Sequence, residues 1–238
     1  MSFFHSMWYN VFGDVMSLKL FIEAIIKYLL GVVLIGLLVF LPAGTLDYLN
    51  GWIFMAILFV PMFIAGIIMM IKNPNLLASR LEAKEKQAEQ SLVVKLSGLM
   101  FLAGFILAGL DYRYKWLQVP QWLNYTGIVL FILSYALYAE VLRENAYLSR
   151  TISVATGQKV IDKGLYGIVR HPMYTATIFL FISMPLVLGS FISFFIFLIY
   201  PFLIAYRAVN EEKFLVKELE GYDKYLLKVK YRFIPFIW

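Results

Sequence analysis

Residues 173–206 read MYTATIFLFISMPLVLGSFISFFIFLIYPFLIAY and contain no charged side chain. A membrane-spanning helix needs about 20 mainly apolar residues, so this stretch is too long for one span. Gly189 and Ser190 lie at its midpoint and divide it into two helices, about 173–188 and 191–206, joined by a tight turn. Each helix is short for a bilayer, so we expect tilt or shielding by neighbouring helices. The stretch therefore predicts a helical hairpin within a membrane.

Four more apolar runs precede this hairpin. They lie at about 20–41, 51–71, 92–110 and 122–142. Hydrophobic residues make up 62% of the chain and charged residues 15%, whereas soluble domains have about 45–50% apolar and about 25% charged residues. The sequence predicts an all-α, polytopic integral membrane bundle of about six transmembrane helices. We divide it into four N-terminal transmembrane helices (1–142) and a C-terminal catalytic region (143–238) with the hairpin and a cytoplasmic amphipathic tail.

The basic residues predict the orientation of this bundle. Lysine and arginine cluster in segments 72–95 and 143–170 and in the tail after residue 207, whereas the opposite side shows only Arg113 and Lys115. Cytoplasmic loops carry an excess of Lys and Arg, so we expect both termini in the cytoplasm. A five-span arrangement would place the basic tail outside and is disfavoured. The first apolar run lacks a signal-peptide cleavage site and is interpreted as a retained helix.

The composition excludes several kinds of site. The chain has no cysteine and only two histidines, His5 and His171. Disulfides and thiolate metal sites are therefore excluded, and we expect no metal. The net charge is +6, and the basic residues lie between the apolar runs. We interpret it as a determinant of topology and of contact with anionic headgroups rather than as a nucleic-acid surface. The expected partners are membrane lipids, and the oligomeric state is not indicated.

Two polar stretches carry the groups capable of chemistry. They are GLYGIVRHPMY at 164–174 and RAVNEE at 207–212. A hairpin returns its end near its start, so we expect these stretches to meet. Pro172 suits the first turn of a helix because its missing N–H costs nothing there. Arg170 and His171 would then lie at a helix N-terminus, which can hold a carboxylate such as the amino-acid end of a cofactor; alternatively they are ordinary interfacial residues.

The second stretch combines one arginine with two carboxylates. Arg207 and Glu211 are four residues apart and share a helix face, whereas Glu212 points about 100° away. A carboxylate can bind ribose hydroxyls or an amino group, and an arginine can bind a carboxylate or phosphate in bidentate fashion. The alternative interpretation is a solvated charged face that ends a membrane helix. Glu140 could line a substrate tunnel or simply pair with Arg143.

These segments resemble the isoprenylcysteine carboxyl methyltransferase family, which is related in its C-terminal half to the phospholipid methyltransferases. Its G-x-Y, R-H-P-x-Y and R-x-x-x-E-E motifs correspond to residues 164–166, 170–174 and 207–212, followed by GYDKYLLKVKYRFIPFIW at 221–238. The resemblance covers about residues 145–238. In addition, NPNLLASRL at 73–81 resembles prokaryotic-type members.

The resemblance implies an S-adenosylmethionine pocket at the cytoplasmic face. The residues that would bind this cofactor are Gln158, Lys159, Val160, Ile161, Tyr166, His171, Pro172, Met173, Tyr174 and Glu211. Arg207 would lie on the substrate side with Glu140, and Arg207 and Glu212 are the candidate catalytic residues. The family often has H-x-L-V-T where this chain has QKVID at 158–162, so the histidine and threonine are absent.

The resulting hypothesis is an S-adenosylmethionine-dependent methyltransferase whose lipophilic substrate enters from the bilayer. A carboxylate nucleophile needs no general base, whereas an amine or thiol would need one, and His171 and Glu212 are the obvious candidates. This favours carboxyl O-methylation of an isoprenylcysteine-like group. The alternatives are a phospholipid N-methyltransferase, a small-thiol S-methyltransferase, an NADPH-dependent sterol-type reductase, and a non-enzymatic membrane protein such as a transporter or scaffold.

Overall fold

The computed structural model is a bundle of helices. It describes residues 15–81, 88–145, 147–148, 152, 154 and 157–238. Its α-helices are α1 (Val15–Ala43), α2 (Leu49–Lys72), α3 (Pro74–Leu81), α4 (Ala88–Tyr114), α5 (Gln121–Glu144), α6 (Pro172–Leu188), α7 (Phe191–Phe197), α8 (Tyr200–Glu218) and α9 (Tyr222–Lys228). A short 3₁₀ helix covers Gly164–Gly167. No strand is formed by the residues in these ranges, which confirms the all-α, polytopic helical prediction.

Five stretches of helix are long and apolar enough to cross a membrane. They are Leu18–Ala43, Leu49–Lys72, Gln90–Tyr114, Gln121–Glu144 and Phe191–Glu218. A sixth apolar helix, α6, has 17 residues and is therefore short for an independent span. In the most apolar 18-residue segment of each stretch, only 11–33% of the residues are buried within the bundle. The apolar outer faces suit contact with lipid, and the chain is an integral membrane protein.

The hairpin turns at the predicted position. Gly189 ends α6 with φ of +83°, a left-handed conformation that glycine adopts without strain. The Ser190 side chain then accepts a hydrogen bond from the Ser193 amide and caps α7. The second arm differs from the prediction, because after a break at residues 198–199 it continues as α8 as far as Glu218. Only the first arm is short.

One end of the bundle anchors this turn. Val119 N donates to Gly189 O and Phe191 N donates to Leu117 O, each at 3.0 Å. The Ser190 hydroxyl donates to the buried Asp111 carboxylate at 2.5 Å. The α4–α5 loop therefore lies beside the hairpin turn. The polar segments on either side of the hairpin lie at the opposite end of the bundle, next to the C-terminal residues.

Aromatic packing holds the membrane-spanning helices together. Phe54, Phe105, Phe131 and Phe197 are almost fully buried, and they come from α2, α4, α5 and α7. Phe105 lies 5.5 Å from Phe54 and 5.7 Å from Phe197 between ring centroids. Such pairs contribute about 0.5–1.5 kcal/mol beyond burial of their area. This core fixes the hairpin against the N-terminal helices.

Candidate functional site

The R-H-P turn is held by the C-terminal segment. Pro172 occupies the first turn of α6, as its missing N–H predicts. The amides of Arg170 and His171 donate at 2.9 Å to the carbonyls of Tyr231 and Arg232. The chain that follows α9 therefore returns to the turn and satisfies its backbone donors. This fixes the direction in which the Arg170 and His171 side chains leave the backbone.

Glu212 lies at the centre of a buried ionic cluster. Its carboxylate is 2.8 Å from Arg170 Nε, 3.2 Å from His171 Nε2 and 3.0 Å from Arg232 Nε. Only 8% of the Glu212 side chain is exposed. The hairpin therefore brings the 170–174 and 207–212 segments into direct contact. The cluster joins α6, α8 and the C-terminal segment into one rigid unit.

Tyr174 connects Glu211 with Arg207. Its hydroxyl donates to Glu211 Oε2 at 2.5 Å and accepts a hydrogen bond from Arg207 Nε at 3.1 Å. The Tyr174 ring stacks on His171 with centroids 5.3 Å apart. His171 Nδ1 lies 3.9 Å from Glu211 Oε2. The two glutamates thus have different surroundings, in agreement with their different directions on the helix.

A cavity of about 660 Å³ extends from this cluster into the bundle. This volume lies within the range of about 300–1,000 Å³ that is typical of ligand sites. Its polar end is lined by residues 158–161, Tyr166, His171, Tyr174, Arg207 and Glu211. Its apolar end is lined by Leu58, Met62, Phe101, Leu180, Phe181 and Met184, among others. One continuous space therefore joins polar groups to hydrocarbon surfaces.

Most residues expected at the cofactor line this cavity, including Gln158, Lys159, Val160, Ile161 and Met173. Three of the candidate site residues are not among its lining residues. Pro172 is buried at the start of α6, and Glu212 faces the ionic cluster described above. Glu140 forms an ion pair with Arg143 at 2.5 Å and is 40% exposed, which matches the simpler of its two interpretations.

The α9 segment supports the G-x-Y turn. The Tyr225 hydroxyl donates to the Tyr166 carbonyl at 2.7 Å, and Asn145 Nδ2 donates to the Tyr166 hydroxyl at 2.9 Å. Burial raises the pKa of Tyr166 above its usual range, so this phenol stays protonated at neutral pH. Nearby, the Lys228 ammonium hydrogen-bonds Asp162 at 2.6 Å and lowers the pKa of that carboxyl.

Sequence reasoning missed several residues at this site. Asn145, Tyr225 and Arg232 support it from outside the two quoted motifs, and Arg80 and Tyr138 line the cavity. The GYDKY stretch near the C-terminus was a usable signal for Tyr225, because the family pattern includes it. Arg80 was hidden in the NPNLLASRL segment, to which no role was given.

The groups at the polar end suit an adenosyl amino-acid cofactor. A carboxylate (Glu211), phenols (Tyr166 and Tyr174) and the backbone of residues 158–161 face one space and can bind hydroxyl, amino and ring groups. Within the described part of the chain, no group of three or more His, Cys, Asp or Glu residues could hold a metal ion. The phenols, the carboxylate and the backbone groups at this end of the cavity fit an organic cofactor.

Comparisons with known proteins agree with this location. Residues 122–220 match the phospholipid methyltransferase family. Over 91 residues the chain is 32% identical to the Delta(14)-sterol reductase of Mus musculus; the match covers 37% of this chain and 22% of the reductase. The match thus spans less than a quarter of that relative's length. The residues that match the phospholipid methyltransferase family include most of α5, the hairpin and the site residues up to Glu212 of this integral membrane protein.

Proposed function

We propose that this protein is an S-adenosylmethionine-dependent methyltransferase that acts on a lipidic substrate, by carboxyl O-methylation of an isoprenylcysteine-like group. The observation that carries the proposal is the cavity, which joins a polar end, lined by residues of the family-matched region, to an apolar end. A polar cofactor and a lipid must meet in such a space for methyl transfer to occur. Holding both in line is the main catalytic task in a displacement reaction.

The polar end is proposed to bind the cofactor. S-adenosylmethionine, when bound, supplies an electrophilic methyl group. Glu211 would bind an amino or hydroxyl group, and Tyr174 holds that carboxylate in place through its hydrogen bond. The α9 segment and the C-terminal residues, which close over the R-H-P turn, would exclude water from the reacting atoms.

The apolar end is proposed to accept the lipid chain of the substrate. Leu58, Met62 and Met184 line it, and they come from α2 and α6. An acceptor could therefore arrive laterally from the bilayer. Arg207 lines the cavity beside Tyr174 and would orient the reacting group. We propose that the polar end faces the cytoplasm together with both termini, because the basic segments cluster there.

The ionic cluster favours a carboxylate acceptor over an amine or thiol. An amine or thiol must lose a proton, and His171 and Glu212 are the obvious bases. His171 Nε2 is engaged with Glu212, whose other oxygen is held by Arg232. Both groups are therefore occupied with each other and with arginines. A carboxylate is ionised at neutral pH and needs neither of them.

Two further activities are supported by specific matches. The family match supports N-methylation of a phospholipid amine as one alternative. The 91-residue similarity to a Delta(14)-sterol reductase supports a nicotinamide-dependent reductase as the other. A reductase of this kind would require the polar end of the cavity to bind a nicotinamide dinucleotide.

Calorimetry on the detergent-solubilised protein separates these cofactors. We expect S-adenosylmethionine to bind with saturable heat and NADPH to give none. Saturable binding of NADPH alone would replace the methyltransferase proposal with the reductase. Absence of binding by either compound would favour a membrane protein without enzymatic activity.

A further inference from the structure

We propose that Arg80 is a specificity-determining residue that binds a carboxylate or phosphate group of the lipidic acceptor. This inference rests on the proposed function, since it names the head group that the same cavity selects. Arg80 lies near the end of α3, a short helix between the second and third membrane-spanning helices. Its side chain is among those that line the cavity.

The α3 helix is positioned firmly enough to aim this arginine. Asn73 caps α3, because its side-chain oxygen accepts a hydrogen bond from the Leu76 amide at 3.1 Å. Leu76 and Leu77 are buried beneath the helix. The Leu81 carbonyl accepts a hydrogen bond from Lys27 Nζ at 2.8 Å, which joins the end of α3 to α1. Arg80 is therefore placed by packing on both sides.

Within the described part of the chain, the contacts of Arg80 provide no counter-ion for its charge. Its guanidinium donates to the Tyr138 hydroxyl and lies over the Tyr138 ring, 5.6 Å from the centroid. Among the described residues, no carboxylate lies within ion-pairing distance of Arg80. A partly buried charge that contacts only a neutral phenol keeps a large desolvation cost. An entering anion would offset that cost.

The charges of the residues that line the cavity also favour binding of an anion. Among the residues that the structure describes, its lining includes Arg80, Lys159, Arg170 and Arg207 but only one carboxylate, Glu211. Arg170 is neutralised by Glu212. Even without Arg207, which has contacts of its own, Arg80 and Lys159 outnumber the one carboxylate among the described lining residues, so the cavity attracts an anionic ligand. A guanidinium is the side chain best matched to the two oxygens of a carboxylate or phosphate.

The surroundings of Arg80 assign this anion to the acceptor rather than to the cofactor. The hydroxyl of Tyr135, three residues before Tyr138 on α5, donates a hydrogen bond to Leu58 O at 2.8 Å. Leu58 and Met62 belong to the apolar lining. An anionic head at Arg80 would therefore have hydrocarbon surfaces directly beside it, which is the pattern of an amphiphile. The groups proposed to hold the cofactor lie on the hairpin arms, at residues 158–161 and at Tyr166 of the 3₁₀ helix.

The first test measures binding without catalysis. The full-length protein and its Arg80→Gln variant are placed in nanodiscs of zwitterionic lipid. A fluorescent fatty acid, its long-chain alkyl phosphate counterpart and the matching uncharged fatty amide are titrated into each. We expect the change to weaken binding of at least one anionic probe about ten- to a hundredfold, which corresponds to one charge-assisted hydrogen bond, and to leave the amide unchanged. Equal affinity of all probes for both proteins would overturn the inference.

Controls separate a head-group role from loss of the fold. Arg143→Gln removes an exposed arginine that pairs with Glu140, and it should leave all probe affinities unchanged. Arg80→Lys keeps the charge but not the paired donors, and it should retain an intermediate affinity. Calorimetry with S-adenosylmethionine should give the same affinity for the parent and Arg80→Gln proteins. A selective loss of cofactor affinity would show that the bound anion is the cofactor carboxylate and would overturn the assignment to the acceptor.

A methyl-transfer assay distinguishes failure of this inference from failure of the proposed function. Compared with the parent protein, the Arg80→Gln variant should have a KM for an anionic amphiphile that is higher by about tenfold or more, whereas its kcat should change little. If no acceptor is methylated by the parent protein, the proposed function fails, and the probe titration still decides the role of Arg80. If methylation occurs but the KM is unaffected by Arg80→Gln, the role of Arg80 fails alone.

Discussion

Tyr174 donates a hydrogen bond to Glu211 while it accepts one from Arg207, so a single phenol joins the residue assigned to the cofactor with the residue assigned to the substrate. Tyr174 is the last residue of the R-H-P-x-Y motif, and the other two belong to R-x-x-x-E-E. The two motifs therefore form one unit across the hairpin arms. All three residues line the cavity.

Replacing Glu211 tests the cofactor assignment. We expect Glu211→Ala to weaken binding of S-adenosylmethionine about ten- to a hundredfold, because a hydrogen bond to a charged group contributes about 1.5–3 kcal/mol. Calorimetry measures the affinity, and thermal unfolding in detergent should show that the fold is retained. Glu218→Ala, an exposed glutamate at the end of the same helix, is the matched control. An unchanged affinity in Glu211→Ala would remove Glu211 from the site.

Replacing Arg207 tests the substrate assignment. Arg207→Ala should lower kcat/KM for the acceptor about tenfold or more, because the reacting group loses its orienting charge. Cofactor affinity should change less than about threefold, since Glu211 and the 158–161 backbone remain. Steady-state kinetics with the acceptor varied at saturating cofactor makes the measurement. Full activity in this variant would contradict any role for Arg207 in the reaction.

Replacing Glu212 separates a structural role from a catalytic one. Glu212→Gln leaves Arg170 and Arg232 without their shared counter-ion, and breaking a buried ion pair costs about 3–5 kcal/mol. We therefore expect a large drop in thermal stability, with loss of activity following the loss of folded protein. If the melting temperature is unchanged and methyl transfer is abolished, Glu212 acts in catalysis, as the sequence alone predicted.

Gly164 tests the support beneath Tyr166. It has φ of +59°, and a Cβ at this position would lie 2.0 Å from Glu144 Oε1. The Glu144 carboxylate accepts a hydrogen bond from the Leu165 amide at 2.9 Å, so Gly164→Ala should displace the G-x-Y turn. We expect lower stability, by about 1–2 kcal/mol from the left-handed backbone alone, together with weaker cofactor binding. Gly66→Ala, in open space within α2, is the control and should leave both quantities near those of the parent protein.

The membrane-spanning part of the fold was predictable because it depends on local composition. Apolar runs identified the spans, and Gly189 marked the turn since its left-handed conformation favours glycine. The meeting of the two polar stretches followed from the return of a hairpin. The predicted length of the second arm was wrong. Hydropathy marks where a helix meets polar surroundings and not where its backbone hydrogen bonds end. Polar residues of α8 extend that arm to Glu218.

The rest of the site depends on contacts between segments that are distant in sequence. Arg232 reaches Glu212 only because the chain after α9 pairs with the R-H-P turn. Arg80 reaches the cavity because α3 packs against the first and second spans. Neither arrangement leaves a periodic pattern in the sequence. The contact of Glu140 was predictable from the sequence, because Arg143 lies three residues later and forms the ion pair that is observed.

Transfer of labelled methyl from S-adenosylmethionine is the most direct test of the central claim. The protein in nanodiscs is given farnesyl-cysteine, a phospholipid with a free amine, and a small thiol as separate acceptors. The account predicts labelling of the farnesyl-cysteine as a base-labile methyl ester, at a rate well above that of the Glu211→Ala variant. Labelling of the amine or thiol alone would contradict carboxyl methylation, and no labelling of any acceptor would contradict methyl transfer at this site.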